Sequence, residues 1–209
     1  MSPESLSDRF DRIWRRVGAT DTTHEVFHDL YRAWTEPHRR YHGADHLRDC
    51  LTQLDDAPAG AVNRDLAEIA LWFHDAVYLP GSPDNETRSA EWAARALLEA
   101  GGSQAKADEV ARLVRLTDHT QPAEDPTGAL VCDVDLSILG RPFAEFAEYE
   151  RGIRAEYGSV PDQLYRLGRS AVLQRFLARD RLYRTAHFSD RYEAAARRNL
   201  LRSLETLGR

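Results

Sequence analysis

Three short stretches of the chain place histidine and aspartate among residues that are otherwise apolar and helically spaced. In IALWFHDAVYL, His74 and Asp75 interrupt a run that is apolar on nearly every side. A carboxylate in that setting costs several kcal/mol unless a proton, a basic partner or a metal neutralises it. Adjacent helix residues point about 100° apart, so the two side chains approach one centre only at the edge of a buried face. In RRYHGADHLRDCL, His42 and His46 are four residues apart and share a face if a helix reaches back through Gly43. In LVCDVDLSILG, Asp135 follows Val131 by four and precedes Ile138 by three, within one apolar stripe; Asp133 is its alternative. The doublet alone is equally a core histidine paired with a buried aspartate. Together, the three clusters form a mixed nitrogen and oxygen set suited to one divalent transition metal, Mn, Fe, Co, Ni or Zn. Such a set leaves positions open for water and substrate.

The elements that must carry these residues read as helices. Leu6, Phe10, Ile13, Trp14 and Val17 form a stripe ended by Gly18. Val26, Phe27, Leu30, Tyr31 and Trp34 form a second, with Asp21 and Thr22 as capping candidates and Pro37 beyond its end. Leu47, Cys50, Leu51 and Leu54 mark a third. Asn63 can cap a fourth, which carries Leu66, Ile69, Ala70, Phe73 and the doublet into the Pro80-Gly81-Ser82-Pro83 break. A fifth runs from about Asp84 to Gly101-Gly102, and Val110, Leu113 and Val114 mark a sixth. Leu130 to Leu139 is short enough for a strand, but Val131, Val134 and Ile138 keep the helical spacing, so it is read as helix. Phe143 to Ile153, Leu164 to Leu177 and Tyr192 to Leu207 supply three more. No alternating run, repeat or low-complexity linker intervenes. The expectation is a single compact all-α domain over 1–209, its metal-site core at about 38–140 and the helices of 142–207 packed on it.

Length and composition narrow the class. A chain of 209 residues is long enough to bury a real core. It has no basic stretch followed by an apolar run at its start and no span of about 18 apolar residues, so a cytoplasmic protein without a membrane segment is expected. Cys50 and Cys132 lack CxxC spacing, which suggests reduced thiols and a chemistry that does not use sulfur. The net charge of −6 is uneven: residues 1–140 carry 14 basic and 25 acidic side chains, residues 141–209 carry 14 and 9. Arginine accounts for 27 of the 28 basic residues. Guanidinium forks match phosphate oxygens, but solvated helix faces account for the same bias, and nucleic-acid binding is not inferred. The absence of GxxxxGK[ST] and GxGxxG argues against nucleotide-loop enzymes.

The order His46, His74-Asp75, Asp135 resembles that of the HD superfamily of metal-dependent phosphohydrolases. The likeness is closer to one branch of it, with YHxxxHL at 41–47, FHDxVY followed by NE and SA within 73–90, and DxDLSILG at 133–140. EYERGIRAEY at 148–157 is also shared with that branch. The resemblance implies a helical HD fold and metal ligation by His46, His74, Asp75 and Asp135, with His42 and Asp133 in reserve. It implies metal-assisted hydrolysis of a small phosphate ester, a nucleotide being the favoured case, by water whose pKa the metal lowers. One departure stands out: nucleotide-cleaving relatives often place a glutamate three or four residues past the doublet, where this chain has Tyr78 and Leu79.

Glu86, beyond the Pro-Gly loop, is read either as a general acid/base or as a first-turn glutamate favourable to the helix dipole. His119 is read as a substrate contact, a second-metal ligand or a surface histidine. Arg40, Arg151 and Arg154 are candidates for phosphate contacts. Two other classes stay open: a dinuclear-iron oxygenase, which would need His42 and His119 as ligands, and a binding or regulatory protein that keeps the fold without activity. One metal is expected, because His119 is the only histidine between Asp75 and Asp135.

Overall fold

The computed structural model describes residues 5–20, 24–60 and 62–208. Among them, ten α-helices and two 3-10 turns make up the regular structure, with no strand. The first four helices are α1 (Leu6–Arg16), α2 (Glu25–Trp34), α3 (Ala44–Asp56) and α4 (Arg64–Phe73). They are followed by α5 (Asn85–Glu99), α6 (Gln104–Arg115), a 3-10 turn (Leu116–Asp118), α7 (Pro126–Asp135) and a second 3-10 turn (Leu136–Gly140). The last three helices are α8 (Phe143–Glu156), α9 (Asp162–Leu177) and α10 (Ala186–Leu207). No described helix is long and apolar enough to cross a membrane.

Local chemistry accounts for most boundaries. Asn63 opens α4 as expected, its side chain accepting from the Leu66 amide. Asp125 accepts from the amides of Thr127 and Gly128 to open α7, and Pro126 takes a first-turn position that needs no N–H. Gly101, at φ 86°, adopts a left-handed conformation that suits glycine, and a Cβ on Gly102 would overlap Leu97; this pair ends α5 and lets α6 fold back on it. The capping candidates Asp21 and Thr22 lie outside the described residues.

α4 is the centre of the molecule. Ala67, Ile69, Ala70, Leu71, Trp72 and Phe73 are all fully buried, and α1, α3, α5, α6 and α7 pack around them. Burying a side chain of that size contributes about 1.5–3 kcal/mol. The buried hydrophobic residues from Phe10 to Leu200 form one continuous cluster. α10 lies across the second 3-10 turn, where Gly140 comes so close to Tyr192 that a Cβ would overlap it. Asn199 donates to the carbonyls of Leu139 and Arg141, which fixes the end of α7 from the far side.

Two expectations change here. α4 stops at Phe73, so His74 is its cap and Asp75 lies in the turn beyond, closed by the Ala76 amide donating to the Phe73 carbonyl. The chain leaves the helix because α5 takes hold of the next residues. Asn85 brackets both backbone groups of Leu79, and Ser89 does the same for Val77. At the other site α3 begins only at Ala44, with Gly43 extended before it, so His42 does not share a helix face with His46.

Candidate metal centre

Three chain segments bring their polar side chains to one buried point: the first turn of α3, the end of α4 and the end of α7. The Nδ1–H of His74 donates to the Leu71 carbonyl at 2.8 Å, which turns Nε2 inward. That Nε2 lies 3.1 Å from His46 Nε2, 3.1 Å from Asp75 Oδ2 and 3.5 Å from Asp135 Oδ1. His46 Nε2 in turn lies 3.1 Å from Asp135 Oδ1 and 3.8 Å from Asp75 Oδ2. Two imidazole nitrogens and two carboxylate oxygens at these separations repel one another unless something positive sits among them.

The charge balance expresses the same demand. Burial works against a charged imidazolium, yet Asp75 and Asp135 outweigh it and hold the His74 pKa well above the usual histidine value. Burial likewise disfavours both carboxylates, but His74 above all holds Asp75 and Asp135 below the ordinary range. A proton on His74 satisfies the group in part; a divalent cation among these nitrogen and oxygen donors would satisfy it more fully. The donor chemistry therefore fits a metal.

Cys50 belongs to this cluster and was not anticipated. Ligand atoms of His46, Cys50, His74 and Asp135 all lie within 4.8 Å of one another, a buried group that could hold a metal ion. The sulfur is 3.7 Å from Nε2 of His46 and 3.8 Å from Nδ1, so it lies along neither lone pair. Burial, with Asp135, Asp49 and Asp75 nearby, raises its pKa well above that of a free thiol and keeps it protonated. The signal was available in sequence: Cys50 follows His46 by four residues, one helical turn along the same face.

The surrounding residues hold this arrangement in place. Glu156, on α8, accepts from the backbone amides of Arg40, Tyr41 and His42 through one oxygen, at 2.8, 2.8 and 2.9 Å. Its other oxygen contacts His42 Nδ1 and the Tyr78 hydroxyl, both at 2.7 Å. These bonds outweigh burial and draw its pKa down to about 2. His42 is thus tied to Glu156 and stacks on Tyr78 with ring centroids 4.2 Å apart. Arg39, buried between Trp34 and Tyr78, donates to the carbonyls of His42, Asp75 and Ala76 and ties the approach to α3 to the turn after α4.

The other residues singled out in sequence fall in different places. Asp133 turns away from the cluster, accepting from the amides of Arg184 and Thr185 and from the Thr185 hydroxyl. His119 has a left-handed backbone (φ 54°) and places Nε2 2.9 Å from Asp135 Oδ2, the oxygen turned away from His46. Glu86 is half-buried in the first turn of α5. Burial chiefly raises its pKa, with Asp75 and Asp118 adding to the rise and a backbone hydrogen bond and His119 opposing it. The Arg40 side chain is exposed. Arg151 and Arg154 line a separate cavity of about 380 Å³ between α8, α9 and α10, and Arg154 is occupied by the carbonyls of Tyr157 and Val160.

Comparisons with known protein families, curated proteins and solved structures find no match to this chain. Among the described residues the chain is an all-α fold with a buried histidine, cysteine and aspartate group that could hold a metal ion.

Proposed function

We propose that the chain is a metal-dependent phosphohydrolase of the HD superfamily, acting on a small phosphate ester such as a nucleotide. One observation carries the reading: His46, His74-Asp75 and Asp135, in that sequence order, bring two imidazole nitrogens and two carboxylates to one buried point. A divalent metal held by these four residues would supply Lewis acidity toward water and a phosphoryl oxygen. The Leu71 carbonyl orients His74, and His119 orients Asp135. Glu86, half-buried in the first turn of α5 just beyond the doublet, is the group that would take a proton from water or give one to the leaving oxygen.

Metal analysis of the purified protein, followed by a screen of phosphate esters with each candidate metal, tests the reading. Metal-dependent phosphate release is expected, and its absence across nucleotide and sugar esters would overturn it. Glu86→Gln should then lower kcat by about 10² to 10⁴-fold while metal content and melting temperature stay unchanged. Normal turnover in that variant would leave Glu86 only a helix-terminus role. A dinuclear centre is the second reading, favoured by the way Asp135 divides its oxygens, Oδ1 toward His46 and His74 and Oδ2 toward His119. Two equivalents of iron with oxygen-dependent turnover would select the oxygenase form of that reading.

A further inference from the structure

The loop after the first 3-10 turn, residues 119–123, faces the link between α9 and α10 across a cleft of about 760 Å³. Arg175, Arg179, Arg181 and Arg184 all line it, with Asp133 and Asp180 as the only carboxylates among the described residues of its wall. Asp133 is buried, and both its oxygens are engaged by the backbone of 184–185. None of the four guanidinium groups forms an ion pair with a described carboxylate. Arg179 instead donates to the carbonyl of His119 and lies 4.7 Å over the ring of Phe176. Burial, and then the like charges of Arg175 and Arg184, lower its pKa, so the cleft holds positive charge in excess. Guanidinium forks without a carboxylate partner, lining a hollow of this size, match the oxygens of a multiply charged small anion.

We propose that this cleft is a second binding site, taking a polyphosphate chain of the kind carried by a nucleoside di- or triphosphate. His119 links it to the candidate metal centre, holding Asp135 with Nε2 and held by Arg179 at its carbonyl. The site needs no turnover and does not depend on the hydrolase reading.

Calorimetric titration of the full chain with inorganic tripolyphosphate, in buffer without added metal, tests it. Saturable binding at one equivalent is expected. Arg175→Gln combined with Arg184→Gln should weaken it by about tenfold or more, the equivalent of 1.4 kcal/mol, without changing the melting temperature, since both side chains are exposed. Arg151→Gln with Arg166→Gln, in the other cavity, should leave it unchanged, as should His46→Ala in the metal centre. Absence of saturable binding, equal weakening by both arginine pairs, or loss of binding in His46→Ala would each overturn the assignment. So would a single-stranded oligonucleotide that binds and resists displacement by tripolyphosphate.

Discussion

Alanine at His46, His74, Asp75 or Asp135 is expected to weaken metal binding by more than about 100-fold, beyond the range usual for residues that merely orient a ligand. His46 Nε2 and His74 Nε2 lie within 3.8 Å of each other and of one oxygen of each carboxylate. Removing one leaves the others with unbalanced lone pairs, which a proton on His74 meets more easily than a three-coordinate cation. The helical circular dichroism should survive, because the apolar cluster around α4 does not use these side chains. Cys50→Ser decides whether sulfur is a donor: ligation by His46, His74, Asp75 and Asp135 requires that this variant retain the metal, although the sulfur lies within the same buried group. If that variant loses the metal while Asp75→Ala keeps it, sulfur takes the place assigned to Asp75. His119→Ala should cost an intermediate 10 to 100-fold, the size expected of a group that orients Asp135. Asp133→Asn should keep the metal and show its cost only in melting, because its partners are Arg184 and Thr185. Chelator competition with metal quantification separates these outcomes.

Replacing Glu156 is expected to be the most damaging change outside the candidate metal centre. Glu156→Leu deprives three backbone amides, His42 and Tyr78 of a fully buried acceptor. Leaving such groups unpaired costs about 3–5 kcal/mol, or roughly 6–20 °C in melting temperature for a chain of this length. The pH dependence has a definite sign. The folded pKa is depressed to about 2 from an ordinary 4.5. The carboxylate therefore stabilises the fold fully above 4.5, and that contribution fades as pH falls toward 2. Melting curves of the wild type and Glu156→Gln should differ most near neutrality and converge in that acidic window. A gap that persists unchanged at pH 2 would show that Glu156 acts through packing alone.

The sequence carries the helices because apolar spacing is a local signal. The stripe of Leu47, Cys50, Leu51 and Leu54 is α3, and the Asn63 cap starts α4 where expected. His46, His74, Asp75 and Asp135 were legible for the same reason: a polar residue on an apolar face is conspicuous in one dimension. The supports were not. Glu156 meets His42 across 114 residues, and neither residue's spacing hints at the other. His119 sits on an irregular turn, so no periodicity indicates that its ring reaches Asp135. Asn85 and Ser89 could be read as part of a motif, but their work on the backbone of Leu79 and Val77 depends on how α5 folds back over the turn. The end of α4 was misplaced because nothing between Phe73 and Pro80 breaks a helix by composition. Tertiary hydrogen bonds end it instead.

Trp34 anchors its indole N–H on the Trp72 carbonyl and holds its ring 5.4 Å from the imidazole of His74 and 6.4 Å from that of His46. A fluorophore fixed this close to the centre makes its state optically readable. Protonated imidazole quenches indole emission, so a diamagnetic ion that displaces the His74 proton would brighten Trp34, while paramagnetic manganese, iron, cobalt or nickel would darken it. Binding of an ion would therefore register in the share of the intrinsic emission that Trp34, one of four tryptophans, supplies, with no substrate and no added label.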